Sequence, residues 1–399
     1  MASAADHPSE PGSTDGAVVP EPRPSDGFDF ARLRRRPDLE APNLLAVDAA
    51  DRLILDEAAP ALAEVLSGDL VVIGDHYGAL TLAAASLFDL SKIRVHQDAL
   101  TGEQALAQNA VELDLAGRFT SHALEPALVS GARVVLLQLP RSLDALDEIA
   151  ALIAEHAHPD VVVFAGGRLK YMSLGMNEIL ADHFGAVYAG LSRQKSRVLT
   201  ASEPHAAAAP REFPQSEHHD DFDLTVVAHG GAFAGTKVDI GTRMLLGLVA
   251  EAVPGASTIV DLGCGTGVIA AVLARSRPEA RVIASDRSAA AVASATATMQ
   301  ANGLAERVEV VRDNALSTVP DASVDLVLLN PPFHADAAVA PEVAIALFEA
   351  AARVLRPGGE LWCVFNSHLH HRAVLERVVG PTTQVARSPK FIVTSSVRA

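Results

Sequence analysis

Two segments of this 399-residue chain repeat one pattern. LVVIGDHYGALTLAA (70–84) and TIVDLGCGTGVIAAV (258–272) each run from an apolar stretch through a Gly-containing turn into an Ala-rich stretch. Gly74 and Gly263 stand 189 residues apart. VVLLQLPRS (134–142) and LVLLNPPFH (326–334) repeat the relation, with Gln138 and Asn330 separated by 192. VVVFAGGRL (161–169) aligns its Gly166 with Gly358 of RVLRPGGEL (353–361), again at 192. Three markers at nearly one offset predict two copies of one domain. The copies are not chemically equal. The first lacks the middle glycine of its loop, and it has Gln-Leu-Pro-Arg where the second has Asn-Pro-Pro-Phe.

Continuous apolar runs alternate with Ala-rich helical patterns in both halves: DLVVIGDHYG, RVVLLQLP and DVVVFAGG, then STIVDLGCGTG, RVIASD, DLVLLNPPF and ELWCVFN. Such runs predict strands buried on both faces, hence a mostly parallel sheet between helices. The expected fold is α/β, with two tandem Rossmann-like domains of which the first is degenerate. Residues 1–26, rich in Pro, Ser, Gly and Ala, read as a disordered tail, and 27–200 as the first domain. ASEPHAAAAPREFPQSEHHDDF (201–222) reads as an interdomain linker or long connecting loop, with the second domain at 223–399.

The net charge of −17 is uneven. From residue 223 onward there are 16 acidic and 15 basic side chains; the first 222 residues hold 33 acidic and 17 basic. The second half therefore tolerates a polyanion, and the first half needs a local basic patch to touch one. Candidates are Arg32, Arg34, Arg35, Arg36, Arg141, Lys170, Arg193, Lys195 and Arg197. Two distant cysteines, Cys264 and Cys363, with no metal spacing suggest a reducing compartment, and a cytoplasmic protein is expected. No stretch reaches the roughly 18 apolar residues of a membrane helix, and no secretion signal is visible. HLHH (368–371) has no Cys or acid cluster to complete a metal site, so no metal is expected.

VDLGCGTGVIA spaces Gly263, Gly265 and Gly267 as G-x-G-x-G between a strand and a helix. Such a turn lets backbone N–H groups approach a ligand closely; alone, it can equally be a tight structural corner. It is not the G-x-G-x-x-G of nicotinamide sites. A strand ending in Asp before this spacing is the pattern of S-adenosylmethionine (SAM) methyltransferases. On that pattern the glycines, with Cys264 among them, face the methionine and ribose portion. Asp261 acts near the ammonium group. Asp286, next to Arg287, accepts the ribose hydroxyls. Asp313, followed by Asn314 and Ala315, meets the adenine, although a plain helix-capping role for Asp313 stays open. Cys264 itself reads as a small packing residue rather than a nucleophile.

NPPF ends a strand on an amide. Methylating an exocyclic amine requires its delocalised lone pair to be freed and aimed, which two hydrogen-bond acceptors favour. Asn330 supplies a side-chain carbonyl and Pro331 a main-chain carbonyl. Pro332 holds residue 331 extended, and neither proline offers a competing N–H. Phe333 can stack on a base, typically worth about 1–3 kcal/mol. A strand ended by a Pro-Pro turn, with Phe in the core, is the plain alternative. His334 could touch substrate or sit in a supporting role.

From about residue 27 onward the chain resembles the bacterial ribosomal RNA guanine-N2 methyltransferases with duplicated methyltransferase domains, of the small-subunit and large-subunit types. The resemblance rests on AHGGAFAGTKVDIGTRMLL (228–246), VDLGCGTG, NPPFH, NSHLHH and SPKFIV, with GGRLKYM (166–172) and RQKSRVL (193–199) in the first half. It implies that Phe233, Lys237, Asp239, Gly241 and Thr242 contact cofactor and close the site. It implies SAM-dependent methylation of guanine N2 in ribosomal RNA or a ribosomal subunit, and a first domain that recognises RNA and stabilises the second. The duplicated chain is expected to act as a monomer with a pseudo-dimeric domain pair. Asn-Pro-Pro-aromatic also occurs in methyltransferases for adenine N6 and protein glutamine. Another planar amine on a small molecule, or a non-catalytic RNA-binding or assembly role, are the competing readings.

Overall fold

A parallel strand sandwiched between helices must be apolar on both faces, and these strands are. In a computed structural model, which describes residues 23–331 and 340–399, they form two seven-stranded sheets. The first contains β1 (Leu70–Ile73), β2 (Ile93–His96), β3 (Phe119–Ser121), β4 (Val134–Gln138), β5 (Val162–Arg168), β6 (Phe184–Ala189) and β7 (Ser196–Pro204). A hairpin of β8 (Gln215–His219) and β9 (Leu224–Ala228) follows. The second sheet contains β10 (Thr258–Leu262), β11 (Arg281–Asp286), β12 (Val308–Arg312), β13 (Val324–Leu329), β14 (Leu355–Asn366), β15 (Thr382–Arg387) and β16 (Phe391–Val397).

The first half is covered by α1 (Ala49–Glu64), α2 (Ala79–Leu87), α3 (Leu100–Glu112), α4 (Pro126–Val129), α5 (Leu143–His156) and α6 (Leu174–His183). The second half is covered by α7 (Ile240–Leu246), α8 (Val268–Ser276), α9 (Ala289–Ala301), α10 (Ala340–Val354) and α11 (His371–Val378). No helix among the described residues is long and apolar enough to cross a membrane.

The strand order is β3-β2-β1-β4-β5-β7-β6 in one sheet and β12-β11-β10-β13-β14-β16-β15 in the other, so one topology is written twice. In each sheet the order reverses beside the first strand, β1 or β10. That is the switch point where open α/β sheets bind ligands, beyond the carboxyl ends of the strands. Alternate residues of a strand feed opposite cores. Val72 and Leu136 pack with α1 and α2, while Val71 and Leu137 pack with α5. Burying each such side chain stabilises the fold by about 1.5–3 kcal/mol.

Sheet register checks the internal alignment. Ile73 pairs with His96 and Leu137, and Leu262 pairs with Ser285 and Leu329, so the offsets of 189 and 192 hold. The third marker does not hold. Gly166 lies within β5 opposite Gln138, whereas Leu329 lies opposite Cys363. Gly358 therefore precedes the stretch of β14 that corresponds to β5. Its Gly-Gly sits in the irregular first part of β14, where the register to β13 shifts and Gly358 has positive φ.

The stretch 201–222 is more structured than a linker. Residues 201–204 complete β7, where Ala201 pairs with Val163 and Val187, and 215–219 form β8. Residues 1–22 of the expected tail lie outside the described residues. Packing begins within the rest of it, where Ser25 is buried and its N–H bonds Asp56 Oδ1 at 3.0 Å.

The halves meet about a pseudo-twofold axis. Leu100 N–H donates to Arg287 O at 2.9 Å, and Ala289 N–H donates to Asp98 O at 2.8 Å, flanking a bridge between Ala99 and Ser288. Residues 98, 99 and 100 are the counterparts of 287, 288 and 289 at the offset of 189. Each copy thus offers the other its own surface, as in an isologous dimer interface. Charged contacts frame it. Arg312 bonds Glu103 at 2.8 Å, and Glu148 holds His229 Nδ1 at 2.6 Å and Gly230 N–H at 2.8 Å.

Candidate active site

The glycine turn follows β10. Gly263, Gly265 and Gly267 all have positive φ, at 69°, 54° and 79°. They have different reasons to be glycine. A Cβ on Gly263 or Gly265 would meet nothing within 4 Å, whereas one on Gly267 would press on Met299 Cε at 2.9 Å. The first two leave the backbone bare toward a cavity, and the third lets α8 close on α9. The cavity is about 550 Å³ and is lined by Gly263, Gly265, Asp286, Arg287, Asp313, Asn314, Ala315, Asn330, Pro331 and Phe233.

Three carboxylates belong to this corner. Asp261, buried at the end of β10, accepts Ala270 N–H on Oδ2 at 3.0 Å, while its Oδ1 has no partner. Burial pushes its carboxyl up to about 7, against that hydrogen bond. An orphaned acceptor of this kind fits a cationic ligand group or a bridging water. Asp286 accepts Ser288 N–H at 2.9 Å and Gly265 N–H at 3.0 Å, so it also shapes the glycine turn. Burial raises its pKa. Asp313 accepts Ser317 Oγ, Thr318 N–H and Thr318 Oγ1. Burial pushes its pKa up, but these hydrogen bonds outweigh burial and hold it below the usual value. No helix starts after Asp313, so the capping role left open is not the one it plays: its hydrogen bonds brace the turn at 314–318, and it stands in the cavity wall.

Asn330 follows β13. Its Nδ2 donates to Asp239 Oδ2 at 3.1 Å and Thr242 Oγ1 at 3.0 Å, and its Oδ1 is buried with no partner. Both groups facing Nδ2 can accept, and Asp239 can only accept when ionised, so the carbonyl end is the one left for a ligand. The site therefore combines a bare glycine turn, an orphaned carboxylate oxygen and an orphaned amide oxygen. That donor set suits SAM beside an amine.

Residues 223–395 match the family described as methyltransferase small domain, and 24–205 match the RLMG N-terminal domain. Ribosomal RNA large subunit methyltransferase G of Streptomyces avermitilis is 35% identical over 382 residues, covering 92% of this chain and 96% of that protein. The protein of that name from Shewanella amazonensis is 32% identical over 373 residues, covering 92% and 96%. The chain belongs to the ribosomal RNA large subunit methyltransferase G family. Among solved structures, the T. thermophilus 16S rRNA N2 G1207 methyltransferase in complex with AdoMet and guanosine shares the fold, with a TM-score of 0.68 at 21% identity. That match covers 86% of this chain and 92% of the other.

In this methyltransferase G family member the segment 228–246 divides its tasks. Asp239 and Thr242 hold Asn330, and Asp239 also caps α7 through Thr242 N–H at 3.2 Å. Gly241 makes room, since a Cβ there would crowd Asp239 and Phe391. Lys237 is exposed and absent from the cavity wall; Asp239, Gly241, Thr242, Asp261, Cys264 and Gly267 are absent from the wall too. Cys264 packs in the core, where burial raises its thiol pKa well above the usual value. Pro332, Phe333 and His334 lie outside the described residues. Among the described residues, no group of three or more His, Cys, Asp or Glu could hold a metal.

No motif marks the first half as lining this cavity, yet Pro37, Asp38, Leu39, Asp98, Ala99 and Thr101 are in its wall. Asp38 is the hinge of that contact: it accepts Tyr77 OH at 2.7 Å and lies 3.7 Å from Arg287 Nη1. Much of the proposed basic patch is already engaged. Arg35 and Arg36 pair with Asp38 and Glu40, Arg193 pairs with Asp56, and Arg141 and Lys170 both lie over the Tyr171 ring.

Proposed function

We infer that this chain transfers a methyl group from SAM to the exocyclic N2 amine of a guanine in large-subunit ribosomal RNA. The observation that carries the reading is Asn330, whose amide nitrogen is tied down by Asp239 and Thr242 while its carbonyl oxygen is left unpaired. The relatives' printed names supply the RNA and the subunit.

Bound SAM supplies a methyl group on a positively charged sulfur, an electrophile strong enough to need no activating base. The chain's own residues do the rest. Asn330 Oδ1 and the Pro331 carbonyl accept the amine's two N–H groups and turn its lone pair toward the cofactor cavity. The same oxygens stabilise the positive charge that grows on nitrogen, and solvent takes the surplus proton. Asp261 Oδ1 receives the cofactor's ammonium, Asp286 the ribose hydroxyls, and Asn314 and Ala315 flank the adenine. Phe333 stacks on a base flipped out of the RNA. Residues 27–200 recognise RNA and complete the cofactor cavity, and the chain acts as a cytoplasmic monomer.

The test supplies methyl-labelled SAM with large-subunit particles, small-subunit particles or deproteinised RNA from a strain lacking the gene. Nucleosides are then read by mass spectrometry. N2-methylguanosine from a large-subunit substrate, absent with Asn330→Ala, is the expected result. Label in N6-methyladenosine, or in no RNA despite SAM binding, would move the reaction to another amine.

A further inference from the structure

The first sheet has a cavity of its own. It is about 650 Å³, larger than the cofactor cavity, and lies beyond the carboxyl ends of β1, β2 and β4. At the offset of 189, Val72, His76 and Gln97 stand where the second half has Asp261, Gly265 and Asp286. The carboxylates for the ammonium and ribose are gone, and an imidazole fills the place of a bare turn. This cavity is not a second SAM site.

Its wall carries four carboxylates and two arginines, Arg141 and Arg287. The carboxylates in its wall are already committed. Asp75 accepts Gly78 N–H at 3.0 Å and Thr81 N–H at 2.8 Å. Asp98 accepts Ser288 Oγ and Ala290 N–H, each at 2.9 Å. Glu148 holds His229 and Gly230, and Asp38 holds Tyr77. Burial lowers the pKa of His76 and of His96, which keeps both imidazoles uncharged at neutral pH.

One group in the wall is unsatisfied. Gln97 is only 6% exposed, and its Nε2 donates to the carbonyl oxygens of Asp75 and His76. Two carbonyls fix that end as the NH₂ group, and Oε1 is left buried with no partner. Leaving such an acceptor unpaired is costly. Gln138, at the end of β4, donates its Nε2 to Asp51, so its carbonyl is also the end available. Two amide acceptors at the tips of strands flanking β1 suit a ligand that offers two N–H donors. The Watson–Crick edge of guanine carries them at N1 and N2. Adenine and cytosine present a donor beside an acceptor, and uracil a single N–H between acceptors.

We propose that this cavity holds a second guanine of the substrate RNA, next to the one that is methylated. The proposal rests on the reading above for its RNA. The two cavities adjoin, sharing Asp38, Asp98, Ala99, Thr101, Gly231 and Arg287 in their walls. Neighbouring nucleotides of one strand can therefore enter both.

Guanosine is the probe, in equilibrium dialysis with the full chain carrying Asn330→Ala, so that uptake at the methylation site is suppressed. Saturable binding is expected, with adenosine at least about tenfold weaker. Adding Gln97→Leu weakens guanosine by about tenfold. Ala123→Trp, an exposed loop residue in the wall, fills the space and does the same without touching the core. SAM affinity and melting temperature stay unchanged in the Ala123→Trp chain. In an otherwise native chain, filter binding of large-subunit RNA weakens about fivefold to tenfold with either substitution. Guanosine uptake indifferent to both substitutions, or RNA affinity indifferent to both, overturns the proposal. Because dialysis does not depend on methyl transfer, this site and the proposed reaction fail separately.

Discussion

The two ends of Asn330 are engaged differently: its amide nitrogen is tied to Asp239 and Thr242, and its carbonyl oxygen has no partner. Replacing Asn330 with Ala should lower kcat by about 10²–10³ and weaken SAM far less, as isothermal titration would record, because the polarising acceptor is lost outright while the rest of the cavity wall stays in place. Thr242→Val removes one of the two acceptors that orient the amide. It should cost about tenfold in kcat at constant SAM Kd; a weakened SAM Kd instead would return Thr242 to the cofactor. Asp261 predicts a pH effect. Its carboxyl sits at about 7 in the folded chain against an ordinary 3.8, so the folded form holds a proton that the unfolded form releases. Stability then falls as pH rises from about 4 to about 7, by roughly 4 kcal/mol in all, and is flat above. Binding of an ammonium needs the anion, so SAM should tighten by nearly tenfold per pH unit up to about 7 and level off. A Kd that does not change between those limits would remove Asp261 from that role. Asn330 and Asp261 were legible because each closes a strand beside a recognisable turn. The work of Asp239 and Thr242 on Asn330 was not, because the contact spans 91 and 88 residues of chain and belongs to the fold.

At the scale of elements, the turn into α8 separates two effects of one kind of change. Gly267→Ala meets both a left-handed backbone and Met299, so it should cost about 2–3 kcal/mol and lower the melting temperature by several degrees. Gly265→Ala has no neighbour to strike. It should cost about 1 kcal/mol of stability and yet weaken SAM by more than tenfold, since its methyl enters the cavity. Thermal melts beside titrations check the contrast. The parallel strands could be read from sequence because burial on both faces leaves an unbroken apolar run. β8 could not: QSEHH is mostly exposed and pairs only with β9, so no apolar period marks it. The Gly-Gly alignment failed for a related reason. A shared dipeptide says nothing of register: both copies lie in strands, but at positions that do not correspond.

At the scale of the molecule, the duplication and the loss of the middle glycine from the first copy's loop were both legible in the sequence. The reach of residues 37–39 across the dyad was not, because Pro37, Asp38 and Leu39 form no motif. Their presence in the cavity wall predicts that Leu39→Ala in the full chain weakens SAM by about threefold to tenfold with little change in melting temperature. Equal affinity in the two chains would mean that the second half builds its cofactor site unaided. The pairing of Leu100 with Arg287 and of Ala289 with Asp98 has a further consequence. Two identical subunits read from one gene must share every substitution, so a residue improved for chemistry in one is imposed on the other. A chain that carries both copies in tandem escapes that constraint. Each keeps the surface that its twin requires, and behind that surface one is free to specialise in reaction and the other in recognition.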